Sequence, residues 1–297
     1  MSFTQRYTAH LGYAPPALRP QFSETVGSTD PVDLIAHAAR IGMAGVFDPW
    51  ATRREEREIA EMAAALSDTG LSCSSIVSVP LEYISAPLWT DRSPAGRSAL
   101  EGHVRAAATT ARTLSSSQLA VLVAADPDRS ADRQVADAAA NLREMSILAA
   151  DFGAELAIEP MVALPNMLLR NITDAVDIVK AADTTGVGII FDTAHVSVTD
   201  GDLMTALNAA RGHITSLQVV DMPGRIEPGA GHLPIVELLT AALTSGYTGL
   251  IDLEHYWLES TPAGEQTGLE RLRQFDAHVA DAVRSTTNTP TPLTEHI

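Results

Sequence analysis

One pattern constrains this chain more than any other: short β-branched runs alternate with alanine-rich amphipathic stretches from end to end. That is how βα units laid around a parallel sheet read in sequence. Eight strands are expected near residues 10–14, 45–49, 72–79, 118–124, 155–160, 187–193, 214–221 and 249–256. Helices fit between them at 31–41, 52–69, 95–115, 130–152, 173–183, 202–210, 234–245 and 264–285. Gly42, Gly70, Gly153, Gly186 and Gly246 fall where helix ends want a left-handed cap. Thr173 before Asp174, and Asp30 before Pro31, read as helix starts. Eight such units favour closure over an open sheet, so the expected fold is α/β, a (β/α)8 TIM barrel. No linker rich in Gly, Ser or Pro interrupts the array. A single barrel domain is therefore expected over residues 1–285, followed by a flexible C-terminal tail over 286–297 with little to bury.

Composition removes several function classes. With 37 acidic and 20 basic residues the net charge is −17, a field that repels phosphate backbones and anionic membrane surfaces, so neither nucleic acid nor membrane is an expected partner. No apolar run reaches the roughly 18 residues of a membrane span. The opening MSFTQRYTAHLGYAPP does not read as a secretion signal. Cys73 is the only cysteine, which excludes an internal disulfide and a thiolate metal cluster and places the chain in the cytoplasm. Lys180 is the only lysine and lies in a helical segment, so Schiff-base chemistry is not expected. Long connections at 80–94 and 222–233 follow the third and seventh strands; in a barrel such βα loops wall the active site.

The chemistry gathers at four strand ends. The fifth strand ends LAIEP, the sixth IIFDTAH, the seventh reads TSLQVVD and the eighth ends LIDLEHY. Each places a metal-capable oxygen at the mouth: Glu159, Asp192, Gln218 and Glu254. Side chains alternate along a strand, which puts Glu159 in phase with Ala157, and Asp192 in phase with Gly188 and Ile190. The plainer reading of any one is a carboxylate bonded to backbone amides or arginine. Three carboxylates at one mouth, however, repel unless a cation neutralises them. Oxygen ligands favour a hard ion, Mn2+ or Mg2+. Such an ion would polarise a carbonyl and stabilise an enediolate, while Glu159 and Glu254 move the proton as acid and base.

The segments IEP, FDTAH, LQVVDMPGRIEPGAG and GLIDLEHY resemble those of hydroxypyruvate isomerase, within the xylose isomerase-like superfamily of sugar isomerases and epimerases. The resemblance covers most of the chain and is strongest from Ala154 to Trp257. It implies a metal held by Glu159, Asp192, Gln218 and Glu254, with both glutamates catalytic and a small sugar or keto acid as substrate. It implies that His195 and Arg225 contact substrate oxygens, with Glu227 in the same loop, and it leaves room for a homo-oligomer paired through barrel faces. Glutamine at 218 follows the hydroxypyruvate isomerase pattern, where many relatives carry histidine. The chain departs at the third strand, which has Ile76-Val77-Ser78-Val79 where a histidine is usual. It departs at the second, which ends Val46-Phe47-Asp48-Pro49 where a glutamate is common, and at His232, where glutamate is frequent.

Other residues carry two readings. His232, in a wall loop, is either a substrate contact or a surface histidine. Arg225 either clamps an anionic oxygen or pairs with Glu227. His213, at the start of a strand, reads as structural, and His255 should point away from Glu254. Asp252, in phase with Glu254, either bonds Ser216 on the neighbouring strand or marks a phase one residue off. Trp50, Tyr83, Trp89, Tyr256 and Trp257 fall beside the mouth, where aromatics wall a substrate or pack loops; Trp50 and Tyr256 are the substrate-facing candidates. The leading expectation is an isomerase or epimerase of a small hydroxy-carbonyl compound. A lyase or dehydratase on the same barrel is the alternative, like 3-dehydroshikimate dehydratases or enzymes that cleave C-glycosides. A repair endonuclease would need histidine-rich zinc sites and a basic surface, which this composition lacks, and a non-catalytic binding subunit would hold no ion.

Overall fold

A computed structural model describes residues 3–12, 19–162 and 166–287. Its strands are β1 (Tyr7–His10), β2 (Gly45–Phe47), β3 (Ser72–Cys73), β4 (Ile76–Val77), β5 (Gln118–Val121), β6 (Glu155–Ile158), β7 (Val187–Asp192), β8 (Ile214–Val219) and β9 (Ile251–Leu253). The helices are α1 (Ser23–Val26), α2 (Pro31–Ile41), α3 (Glu56–Thr69), α4 (Pro94–Thr113), α5 (Ala131–Ala150), α6 (Ile172–Ala182), α7 (Thr193–Thr199), α8 (Leu203–Ala210), α9 (Ile235–Thr244) and α10 (Pro262–Thr287). All strands pair in parallel, in the order β3-β2-β1-β9-β8-β7-β6-β5-β4. β3 and β4 are two pieces of one passage. The Ser74 amide donates to Val46 O at 2.9 Å on one side, and the Ser78 amide to Ala120 O at 2.9 Å on the other. The ring thus closes through residues 72–78 as a TIM barrel.

The break in the third strand has a physical cause. Ser74 turns inward and donates to Asp252 at 2.7 Å, while Val77 belongs to the lumen cluster with Ala120 and Ala157. Two inward residues three positions apart cannot share a regular pleat, so the backbone gives way at Ser75. The first strand lies three residues earlier than expected, and positions 13–14 fall outside the described residues. The last strand stops at Leu253, leaving Glu254 to Tyr256 beyond the ladder.

Helix punctuation follows local chemistry. Asp30 caps α2 by accepting from Val32 N at 2.9 Å with Pro31 in the first turn, and Gly42 closes it at φ 87°. α6 departs from expectation at both ends: Asn171, not Thr173, is its cap, and Asp183 at φ 48° ends it, whereas Gly186 takes no left-handed conformation. α10 reaches Thr287, so the first two residues assigned to the tail are helical; 288–297 lie outside the described residues. One apolar core fills the space between barrel and helices. Inside the barrel Asp252 accepts from Thr8 Oγ1 and Ser74 Oγ at 2.7 Å each and from Ser216 Oγ at 3.5 Å. This settles its phase as inward. Among the described residues no helix is long and apolar enough to cross a membrane.

Candidate metal centre

The four oxygen-bearing side chains converge at the C-terminal mouth, and all four are buried or nearly so. Glu159 follows β6, its amide held by Val121 O at 3.1 Å. Asp192 ends β7 and caps α7: its Oδ1 accepts from Ala194 N at 2.6 Å and His195 N at 3.0 Å. That fixes the carboxylate and leaves Oδ2 facing the centre. Gln218 comes from β8 and Glu254 from just past β9. The outer amide atom of Gln218 lies 3.2 Å from Glu254 Oε2 and 3.3 Å from Glu159 Oε1. If that atom is NH2, the amide donates to both glutamates. If it is the carbonyl, three oxygens crowd one point and need a cation between them.

His195, in the first turn of α7, brings Nε2 to 3.7 Å from Glu159 Oε1. Ligand atoms of Glu159, Asp192 and His195 all fall within 4.8 Å of one another. The sequence reading gave His195 to the substrate; the geometry also puts it within reach of a shared ion. Arg225 supplies the nearest positive charge, its Nη2 donating to Asp192 Oδ2 at 3.1 Å and lying 3.3 Å from Glu254 Oε2. Its backbone is left-handed at φ 52°, a conformation costly for a side-chain-bearing residue and found where a site fixes it.

The electrostatics follow from burial. Burial, then the charges of Glu254 and Asp192, push Glu159 well above the usual carboxylate range. Burial likewise drives Glu254 up to about 8 against the pull of Arg225. Burial works on Asp192 too, but Arg225, His195 and its two backbone donors win and hold it low. Burial and Arg225 lower His195 against the pull of Asp192. One low and two raised carboxylates around one guanidinium make a cluster short of positive charge. Convergent hard oxygens with a neutral imidazole beside them fit a single divalent cation.

The remaining expected contacts divide. Trp50 packs on the lumen cluster, at the mouth. Tyr256 is 40% exposed, and its main-chain amide donates to Arg225 O at 2.6 Å. Glu227 is turned away: it is buried, pairs with Arg271 and accepts from Leu258 N at 2.8 Å, so it ties the loop to α10. Arg225 therefore does not pair with Glu227. The His232 side chain is exposed and its amide holds Met222 O at 3.0 Å. Two residues were missed. Asp221 builds the 222–233 loop by accepting from the amides of Met222, Gly229, Gly231 and Leu233, at 2.9 to 3.1 Å. His10 ends β1 inward, two residues above Thr8, with Nδ1 accepting from Gly12 N at 2.9 Å. Setting the first strand too late hid it, since a strand starting at residue 10 puts His10 at the wrong end.

The family described as Xylose isomerase-like TIM barrel matches residues 35–275. The chain belongs to that family. Within the xylose isomerase-like barrels it is 27% identical over 214 residues to 2-oxo-tetronate isomerase of Cupriavidus necator, covering 70% of this chain and 82% of that one. It is 26% identical over 116 residues to D-psicose 3-epimerase of Ruminiclostridium cellulolyticum, an alignment spanning only 39% of each. Among solved structures, AP endonuclease, family 2, of Brucella melitensis superposes with a TM-score of 0.74 at 20% identity, covering 88% of this chain and 96% of that one. At that identity the likeness concerns the xylose isomerase-like fold alone.

Proposed function

We propose that this protein is a divalent-metal-dependent isomerase or epimerase of a small hydroxy-carbonyl compound, with Glu159 and Glu254 as the acid–base pair. The observation that carries the reading is the convergence of Glu159, Asp192, Gln218 and Glu254 on one buried point beside His195 and Arg225. Likeness to 2-oxo-tetronate isomerase and D-psicose 3-epimerase supports the reaction class. Glu159, Asp192, Gln218 and Glu254 would hold the ion, Mn2+ or Mg2+. When bound, the ion supplies Lewis-acid polarisation of a carbonyl and charge to offset a developing oxyanion.

The chain's own residues do the rest. Glu159 and Glu254 arrive from β6 and β9, with two strands between them, and so flank a bound carbon from two sides. One removes the proton beside the carbonyl and the other returns it. Burial raises both carboxyls above the usual carboxylate range, Glu254 to about 8, where a group both takes and gives a proton. His195 and Arg225 orient substrate oxygens, and Trp50 and Tyr256 border them. The single cysteine, Cys73, is buried with its thiol pushed up by burial; we place the enzyme in the cytoplasm and in carbohydrate metabolism.

Proton NMR in D2O with Mg2+ and a panel of ketoses, hydroxypyruvate and 3-keto compounds tests this. Deuterium entering beside a carbonyl, with an isomer or epimer accumulating, is expected. Vinylic or leaving-group signals would move the protein to the lyases. Calorimetric titration with Mn2+ should give one site, weakened more than about 100-fold in Glu159→Gln or Glu254→Gln.

A further inference from the structure

Gln21 is buried beside the mouth, and its main-chain and side-chain amides are both spent on the ends of β1 and β9. The pairing of these strands stops at Ala9 with Leu253, one residue short of Glu254. In that register the next rungs would bring His255 N to His10 O and Gly12 N to His255 O. Gln21 N occupies the first of those acceptors at 2.9 Å, and Gly12 N donates to His10 Nδ1 at 2.9 Å. The side-chain amide of Gln21 takes up where the ladder ends. Its Oε1 accepts from His10 N at 2.9 Å, while Nε2 donates to Leu253 O at 2.9 Å and to His255 O at 3.1 Å. Those two carbonyls flank Glu254, so one side-chain amide fixes the main chain on both sides of the carboxylate.

On the β8 side the register ends at Val219 with Leu253. Beyond it Arg225 holds the chain, its Nη2 donating to Glu254 O at 3.4 Å and its carbonyl accepting from Tyr256 N at 2.6 Å. Glu254 thus stands between Gln21 and Arg225 where the sheet has stopped. Gln21 is itself anchored. Phe22 follows it in a left-handed conformation at φ 67° and packs edge-on against Trp257, ring centres 5.0 Å apart. The amides of Glu24 and Thr25 in α1 donate to Glu265 of α10 at 3.3 and 2.7 Å. One N–H and two carbonyls around the Gln21 amide leave it a single orientation. A glutamate there would keep the first bond and set its second oxygen against two carbonyls.

We propose that Gln21 is a positioning residue for Glu254, setting where that carboxylate meets the ion and the substrate carbon. This rests on the reading above, in which Glu254 is a metal ligand and proton carrier. A group that orients a ligand from behind contributes about 10-fold to 100-fold in metal affinity or turnover.

The test uses the full chain with Gln21→Met, which keeps the length and removes the amide, and Gln21→Glu, which keeps the acceptor and removes the donors. Calorimetry is expected to show Mn2+ bound about 10-fold to 100-fold more weakly in both, and kcat of the Mg2+-loaded enzyme should fall more than KM rises. In a Glu254→Gln background the same substitutions should change Mn2+ affinity little, because the group they misplace is no longer there. Carbon-13 NMR of the glutamate carboxyls in the metal-free chain, with the Glu254 line identified by Glu254→Gln, should show that line moved in both variants. Gly45→Ala, at the start of β2, controls for lost stability and should leave the line in place. A Glu254 line or a Mn2+ affinity unchanged from the parent overturns the proposal. So does an equal loss of affinity with and without Glu254, or a line moved as far by Gly45→Ala. A parent chain that binds no Mn2+ would count against the metal reading instead, and the carboxyl line would still decide the role of Gln21.

Discussion

Arg225 is the residue on which the centre turns. A left-handed backbone and the amide of Tyr256 aim it between Asp192 and Glu254, so an ion drawing on those oxygens would compete with the guanidinium for them. Arg225→Gln is expected to bind Mn2+ more tightly than the parent by calorimetry, while KM for substrate rises. Weaker Mn2+ binding in that variant would mean that the arginine helps to hold the ion. Asp221 stands one step back as a positioning residue. Removing its carboxylate leaves four amides of one loop without their acceptor. Asp221→Ala should cost about 2–4 kcal/mol in urea unfolding and disturb Arg225 with it; Asp221→Asn should recover part of both.

At the level of elements, the barrel depends on close backbone approach. A Cβ at Gly45 in β2 would sit 2.3 Å from the carbonyl oxygen of Ser72 in β3. The obstacle is main chain and cannot rotate away. Gly45→Ala should therefore destabilise the protein by about 2–4 kcal/mol, measured by thermal or urea unfolding, with the loss localised by hydrogen exchange to β2 and β3. Gly231 is tight for another reason: its Cβ would lie 2.4 Å from Asp221 Oδ1 and from Met222 O, so substitution there reports on the loop that carries Arg225.

For the whole molecule, buried titratable groups tie stability to pH in opposite directions. Burial lowers His255 to about 3, so the unfolded chain takes up a proton near pH 6.5 that the native state refuses. Its contribution is present above that pH and is lost as pH falls toward 3. Burial raises Asp252 to about 6 against its three hydroxyl donors; its contribution is full below about pH 4 and lost as pH rises through 6. Melting temperatures of the metal-free protein compared with His255→Asn should converge or cross on acidification from pH 6.5. The same comparison with Asp252→Asn should shift in favour of the variant between pH 4 and 6. Parallel curves would show that neither group titrates as its burial requires.

The alternation of runs determined the barrel without help, because the strand period of two and the helix period of 3.6 are local and survive in any tertiary context. Glu159, Asp192, Gln218 and Glu254 were legible for the same reason: each sits at a strand end, and parity along a strand fixes its face. Tertiary structure decided what sequence spacing cannot reach. The break at Ser75 arises because Asp252, distant in sequence, draws Ser74 inward. The partner of Glu227 proved to be Arg271, and that of Arg225 the carboxylate cluster, because a loop conformation brings those groups together. His10 faces the mouth only because β1 begins at Tyr7, and four buried tyrosine-to-histidine positions carry too weak a local signal to say so. Local periodicity sets element and face; which charge meets which is settled only when the ring closes.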